Sequence, residues 1–266
     1  MHIKMTEHPK WVDKFLEEAA AQEKSIVDGD CFKKLASGEL PIDTFRGIMV
    51  CFNPLVENFA KYMALILPKV PPGDTPRNNM ARAWLIQNLN IERLDAAWYR
   101  DWLWAFGVPR EITNQEVHLP PEVDAINNYL WKICTYGTLP EAIAALNYSI
   151  EGPTGIWTKR LCKNIKRYEK RDGVKITRKS MAWLNAHARY DDHHPEEALE
   201  IIKAFATTEE EQGKCIRAVK TGMSYYAMSA KASYEMHKRT LMENFFLTKA
   251  LWANRRNVDL LSINKN

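Results

Sequence analysis

The stretch His187-Ala-Arg-Tyr-Asp191-Asp192-His193-His194-Pro195 sets three imidazoles and two carboxylates within eight residues. On one continuous α-helix His187, Asp191 and His194 stand at i, i+4 and i+7, within about 60° of each other around the axis. Three side chains of metal-ligand type then point the same way. A solvated, histidine-rich turn gives the same string. What separates the two readings is whether acidic residues on other helices face it. Pro195 follows His194 directly, so a kink or a restart of the helix is expected there.

The surrounding chain reads as helical almost throughout, because apolar residues recur at helical spacing and strand-like alternation is hard to find. The spacing predicts helices over about 9–26, 31–36 and 42–67, the last kinked at Pro54. A loop rich in proline (68–76) leads to a long helix over about 78–106, stopped by Gly107-Val108-Pro109. Further helices are predicted over about 122–136 and from Pro140 towards Tyr168, with Thr138 as cap, Glu141 at the positive end, and an interruption near Gly152-Pro153. Thr177 is read as the cap of a helix through Tyr190. A last long helix covers about 209–246, and residues 247–266 read as a polar tail. No repeat, low-complexity segment or linker divides the chain. The simplest account is all-α: a single domain over 1–266 built as a bundle of seven or eight helices.

Two other places carry carboxylates of the right kind. Glu92 and Asp95 stand at i and i+3 in a helix with apolar neighbours Leu89, Trp98 and Trp102, so they share a face. A carboxylate pair near a buried face needs a cation, or a partner such as Arg93 or Arg100. Glu151 ends the apolar run AIAALNYSI, just before glycines read as permitting close helix approach, and is expected inside. Glu92, Asp95, Glu151, His187, Asp191 and His194 together are four carboxylates and two histidines on three helices. That is the ligand set of a carboxylate-bridged di-iron or di-manganese site. The spacing differs from the Glu-x-x-His pairs of ferritin-like proteins.

At these residues the chain resembles the haem-oxygenase-like metal oxidases, the superfamily that includes thiaminase II and pyrroloquinoline quinone synthase. Within it, the sequence is most similar to the non-haem iron decarboxylase that converts medium-chain fatty acids to terminal alkenes. The resemblance is carried by VENFAKYMA (56–64), MARAWL (80–85), NYSIEG (147–152) and HARYDDHHPEEALEI (187–201). It implies a haem-oxygenase-like bundle, Fe(II) held without haem at about two ions per chain, and O₂ as co-substrate. It implies Glu92, Glu151, His187, Asp191 and His194 as metal ligands. Where that decarboxylase has a histidine three residues after the first glutamate, this chain has Asp95. That changes charge and donor softness at one iron.

The reading implied is an O₂-dependent oxidase that decarboxylates a medium-chain fatty acid, or oxidises a related small carboxylate or amine, with an external electron donor. Phe52, Phe59, Met63 and Trp183 are the expected groove for an apolar chain. Tyr148 and Tyr190 flank ligand positions and are candidates for moving protons or electrons. Asp192 and His193 are candidates for orienting ligands. One alternative is a metal-free, thiaminase-II-like hydrolase using Cys134, which lies in an aromatic context with Trp131 and Tyr136, although a buried, inert thiol reads the same way. The other is a helical interaction protein that retains an old site.

Composition narrows the field. Hydrophobic residues make up 46% and charged residues 26%, with a formal net charge of +4. Lys159–Lys175 is the densest basic stretch and reads first as a solvated helix face. Neither a nucleic acid nor a membrane is expected as a partner. Five scattered cysteines without a CxxC fit reduced thiols rather than a disulfide framework. No signal-peptide pattern opens the chain, and a cytoplasmic protein is expected. A homodimer is compatible with this reading.

Overall fold

The computed structural model describes residues 3–113, 119–171, 173–190 and 193–243; for Tyr190 and residues 237–243 it describes the backbone alone. The helices in chain order are α1 (Lys10–Val27), α2 (Asp30–Ser37), α3 (Ile42–Ile66), α4 (Pro76–Glu92), α5 (Asp95–Ala105), α6 (Arg110–Thr113), α7 (Pro121–Tyr136) and α8 (Leu139–Ile143). A π-helix (Ala144–Glu151) comes next. It is followed by α9 (Gly152–Asn164), α10 (Lys166–Glu169), α11 (Ala182–Tyr190), α12 (His194–Phe205) and α13 (Glu209–Glu243). No strand occurs among the described residues. The segments outnumber the seven or eight expected because long periodic stretches break into collinear or kinked pieces.

Local chemistry places most boundaries. Pro54 sits inside α3 as expected. Thr138 donates its N–H to Glu141 Oε2 at 2.9 Å, and Pro140 occupies the first turn, where it needs no donor. Thr177 does not open the α11 helix. It closes a turn with Ser180, Thr177 N–H to Ser180 Oγ at 2.8 Å and Ser180 N–H to Thr177 Oγ1 at 3.1 Å, and the helix begins at Ala182. The expected interruption near Gly152 is a π-helix rather than a break, with Ser149 Oγ donating to Ala144 O at 2.6 Å.

Around the core, α13 packs on α1, α3, α7 and the π-helix; α12 packs on the π-helix, α8 and α4; α11 packs on α9 and α5. The tight approach is made by Gly222 of α13. A Cβ there would lie 2.9 Å from Ala145 O and 2.9 Å from Ser149 Oγ. Gly152, expected to play that part, has only ordinary contacts, the nearest at 3.5 Å.

An N-terminal strap, residues 3–9, ties the helices that carry the site. Glu197 of α12 accepts from Ile3 N–H at 3.2 Å and from the Trp84 indole of α4 at 2.9 Å. Glu200, one turn on, accepts from Thr6 N–H at 3.0 Å and Thr6 Oγ1 at 2.7 Å, and pairs with Lys203 at 2.7 Å. Burial alone raises the Glu200 pKa, but the bonds from Lys203 and Thr6 outweigh it and hold the carboxyl below its usual value. The stability this gives is therefore full above the ordinary carboxylate range and is lost as pH falls through the lowered value. Trp84→Phe keeps the ring but leaves Glu197 short of a donor. It is expected to destabilise the fold by about 1–3 kcal/mol, read as a lower urea midpoint with an unchanged slope.

Candidate metal centre

The long helix expected over 78–106 is two helices, and the break lies between the two acidic residues. Arg93 and Leu94 form a turn in which Leu94 N–H bonds back three residues to Ile91 O at 3.1 Å. Glu92 thus ends α4 and Asp95 starts α5. Asp95 meets the positive end of its helix, whereas Glu92 meets the negative end of α4. Arg93 donates to Asn90 Oδ1 at 2.8 Å and Arg100 pairs with Glu57.

The histidine stretch is likewise divided. His187 belongs to α11 and His194 opens α12, with Pro195 in its first turn, so the restart expected at Pro195 is present. The two imidazoles are therefore not on one helix face. Asp191 and Asp192 lie outside the described residues.

The five described candidate ligands converge all the same. One carboxylate oxygen of Glu92, one of Glu151 and a ring nitrogen of His194 lie within 4.8 Å of one another. One oxygen of Glu92, one of Asp95 and a ring nitrogen of His187 form a second such trio. Glu92 is common to both. Glu92, Asp95, Glu151 and His194 are buried and His187 is half-buried. His187 Nδ1 lies 3.0 Å from Trp183 O, which can only accept, so Nδ1 carries the proton. Its Nε2 is 3.2 Å from Asp95 Oδ2. His194 Nδ1 is 3.0 Å from Glu151 Oε2, and Glu151 Oε1 accepts from Asn147 Nδ2 at 2.7 Å.

Three buried carboxylates and two imidazoles in this space suit a divalent cation. Carboxylate oxygen with imidazole is the donor set of iron and manganese, and Glu92 belongs to both trios. Burying three such anions without a cation is costly. The residues present fit the metal.

A mostly apolar cavity adjoins the cluster, with about 40 Å³ of room for water-sized groups. Phe52, Phe59 and Trp183 line it as expected; Met63 does not, being packed in the core one turn beyond Phe59. Met49, Leu55, Val56, Ile150, Trp157, Thr154, Tyr99 and Tyr226 complete the wall. Its polar groups bond to one another. Trp157 N–H donates to Tyr226 Oη at 3.0 Å. Thr154 Oγ1, 3.0 Å from Tyr226 Oη, donates its own proton to Ile150 O at 2.6 Å, so the phenol donates to it. Tyr99 O–H donates to Met49 O at 2.7 Å. Trp183 differs: its indole N–H is buried with no hydrogen-bond partner among the described residues, while its ring stacks on His187 at 4.1 Å.

Other candidates fall elsewhere. Tyr148 is not on the cavity wall; it packs edge-on against Phe15 at 4.9 Å, and burial, with Glu23 and Glu196 adding, pushes its phenol up to about 12. The side chain of Tyr190 lies outside the described residues. His193 is exposed and faces Glu196 at 4.0 Å, outside the cluster. Cys134 is fully buried and absent from the cavity wall, and burial pushes its thiol up to about 12 against a small opposing pull from Lys69. Sequence reasoning missed Asn147, whose signal is its place four residues before Glu151. It also missed Tyr226, which reaches the wall from α13 and has no local signal.

Among solved structures, a TenA homologue from Pseudomonas syringae pv. tomato is 28% identical, with a TM-score of 0.78, and the match covers 88% of this chain and 100% of that one. A domain of unknown function with a heme oxygenase-like fold from Shewanella denitrificans is 16% identical at a TM-score of 0.71, covering 88% and 96%. A TenA homologue from Pyrococcus furiosus is 14% identical at 0.66, covering 84% and 100%. No curated protein matches the sequence. Residues 49–227, which include every candidate ligand, match the family described as iron-containing redox enzyme. The chain belongs to that family of iron-containing redox enzymes, on a haem-oxygenase-like fold.

Proposed function

We propose that the protein is an O₂-dependent non-haem iron oxidase whose substrate has an apolar chain and one polar head, with oxidative decarboxylation of a medium-chain fatty acid as the leading reaction. The observation that carries this reading is the placing of two ligand trios, joined at Glu92, beside a cavity whose wall is apolar and whose hydroxyls are engaged within the protein. A substrate rich in hydrogen-bonding groups would find few partners there. An alkyl chain matches the apolar chemistry of the wall, and burying each CH₂ contributes about 0.8 kcal/mol.

Bound iron would supply the reduction of O₂ and the oxidising power for the substrate. The chain's own residues do the rest. Glu92, Asp95 and Glu151 supply hard oxygen donors. The Trp183 carbonyl fixes the tautomer of His187, leaving Nε2 as the ligand atom, and Asn147 orients Glu151. Phe52, Val56, Phe59 and Ile150 exclude water from the chain-binding side. The unused indole N–H of Trp183, beside His187, is the donor available to an oxygen of the substrate's head.

The TenA homologues among the structural relatives favour a second reading, a thiaminase-like hydrolase. It requires a reactive thiol at the cavity. Cys134 is buried away from the wall with a raised pKa, the opposite of an activated nucleophile.

Two measurements test the proposal. Glu92→Ala removes a ligand from both trios and is expected to lose nearly all Fe(II) taken up anaerobically. His187→Ala is expected to empty its own trio, and Asn147→Ala to weaken affinity about 10–100-fold. Wild-type iron content in a folded Glu92→Ala protein overturns the site. In the second, iron-loaded protein is mixed with O₂ and medium-chain fatty acids, and products are analysed. Oxygen-dependent loss of the acid is expected, unaffected by Cys134→Ser and lost first for the longest acids in Val56→Trp. Hydrolysis of thiamin-type substrates that survives a chelator and disappears with Cys134→Ser would replace the oxidase with the thiol enzyme.

A further inference from the structure

Between Lys159 and Lys179 the chain has ten lysines and arginines against two acids, a net +8 in a chain of formal net charge +4, so the remainder carries −4. All ten cations are exposed, while Leu161, Ile165, Tyr168 and Val174 among them are buried. The cations sort by their place around α9 and α10, which continue one another through Ile165 in α-helical conformation. Arg160 and Arg167 turn to the α1–α2 side. Arg160 bonds Val27 O and Asp28 at 3.0 Å, and Arg167 bonds Ser37 O at 2.7 Å. Lys159, Lys163, Lys166 and Lys170 stand at i, i+4, i+7 and i+11, within about 60° of one another and spread along roughly 17 Å of axis. Lys163, Lys166 and Lys170 make no hydrogen bond or ion pair among the described residues.

This stripe lies on the helix that leaves the metal centre. α9 begins directly after Glu151, and α11, which carries His187, packs along it, with Cys162 Sγ 3.8 Å from Leu184 O. Two residues before the stripe, Trp157 contacts Trp183 at 5.9 Å between ring centres, and the Trp183 ring lies 4.1 Å from that of His187. A short aromatic path therefore connects the base of the stripe to a ligand.

We propose that this lysine stripe is the docking surface for a small acidic iron–sulfur electron-transfer protein. The proposal deepens the redox reading above and rests on it. The stripe is all lysine, whose hydrated point charges suit salt-sensitive, transient contact with carboxylates. Phosphate and nucleic-acid recognition favours the planar fork of arginine, and here the two arginines of the α9–α10 helix, Arg160 and Arg167, are turned to other tasks. Its apolar and aromatic residues are buried, which leaves nothing to stack on bases and nothing to insert into a bilayer. In each encounter one electron leaves the reduced donor's cluster, which is oxidised by one unit. With iron bound, that electron would take one ferric ion to ferrous, and no bond would form or break. Trp157 and Trp183 lie on the route.

The test titrates full-length protein, iron-loaded and metal-free, with an acidic plant-type [2Fe–2S] ferredoxin by calorimetry at low and high salt. Binding is expected at low salt and is expected to fade at high salt. Lys163→Glu, Lys166→Glu and Lys170→Glu combined is expected to weaken binding at least tenfold. The control, Lys10→Glu, Lys14→Glu and Lys24→Glu combined on exposed positions of α1, makes the same charge change and is expected to bind as wild type. Equal affinity in the stripe variant, or equal loss in both variants, overturns the proposal. So does stripe-dependent binding of heparin, DNA or anionic vesicles without binding of ferredoxin. The metal-free arm reads docking separately from the iron centre. Stripe-dependent binding by a protein that takes up no iron keeps the surface and overturns the oxidase.

Discussion

Three carboxylates are buried together, oxygens of Glu92 lying within 4.8 Å of Asp95 on one side and of Glu151 on the other, and that proximity is the constraint on which the rest of the structure depends. Glu92 has the least favourable place, at the negative end of α4. The ion pairs of Asp95 and Glu151 are with imidazoles, not with lysine or arginine. Arg93 and Arg100, the nearest in sequence, have partners of their own. Two imidazoles stand instead, with one nitrogen of each against a carboxylate oxygen. A divalent cation among the oxygens would offset the cost of burying the three carboxylates and would link folding to metal binding.

The scaffold holds the ligands to this arrangement from behind. Asn147 anchors Glu151 from one π-helical turn earlier, and the π-helix is itself locked by Ser149 and by the close approach of Gly222. π-Helical turns are rare and recur at functional sites, where the wider turn re-aims a side chain. On the opposite side Glu197 joins the strap, α4 and α12, the last two carrying Glu92 and His194. Beside the centre, the aromatic groups Trp102, Trp183 and Tyr99 pack α5 against α11, which carry Asp95 and His187. The α4–α12 tie thus holds Glu92 and His194 together, the α5–α11 tie holds Asp95 and His187, and Glu92 is the member the two trios share.

The cavity has a different character. Its hydroxyls are used internally, in the chain that runs from Trp157 through Tyr226 and Thr154 to the Ile150 carbonyl. Polarity in this pocket is concentrated at the carboxylate–imidazole end. That separates an apolar wall from a charged end, the division the proposed amphiphilic substrate would require.

Much of this was legible in the residues themselves. Apolar periodicity identified an all-α bundle, because a helix buries one face whatever its neighbours are. Pro195 marked the restart at His194, because proline lacks the donor that a continuing helix needs. Glu92, Asp95, Glu151, His187 and His194 were recognisable as ligand types from their chemistry and buried context. Their grouping was not. The spacing put His187 and His194 on one helix face, whereas they stand on two helices and serve different trios. Glu92 and Asp95 converge because a helix ends between them. Met63 matched the spacing of the cavity wall but lies past its end, and Tyr226 reaches that wall from a helix near the end of the chain. Residue type and local periodicity are properties of neighbouring sequence. Which carboxylate is shared, which phenol faces the cavity and which glycine admits a close approach depend on how separate helices pack, and only the tertiary structure decides those.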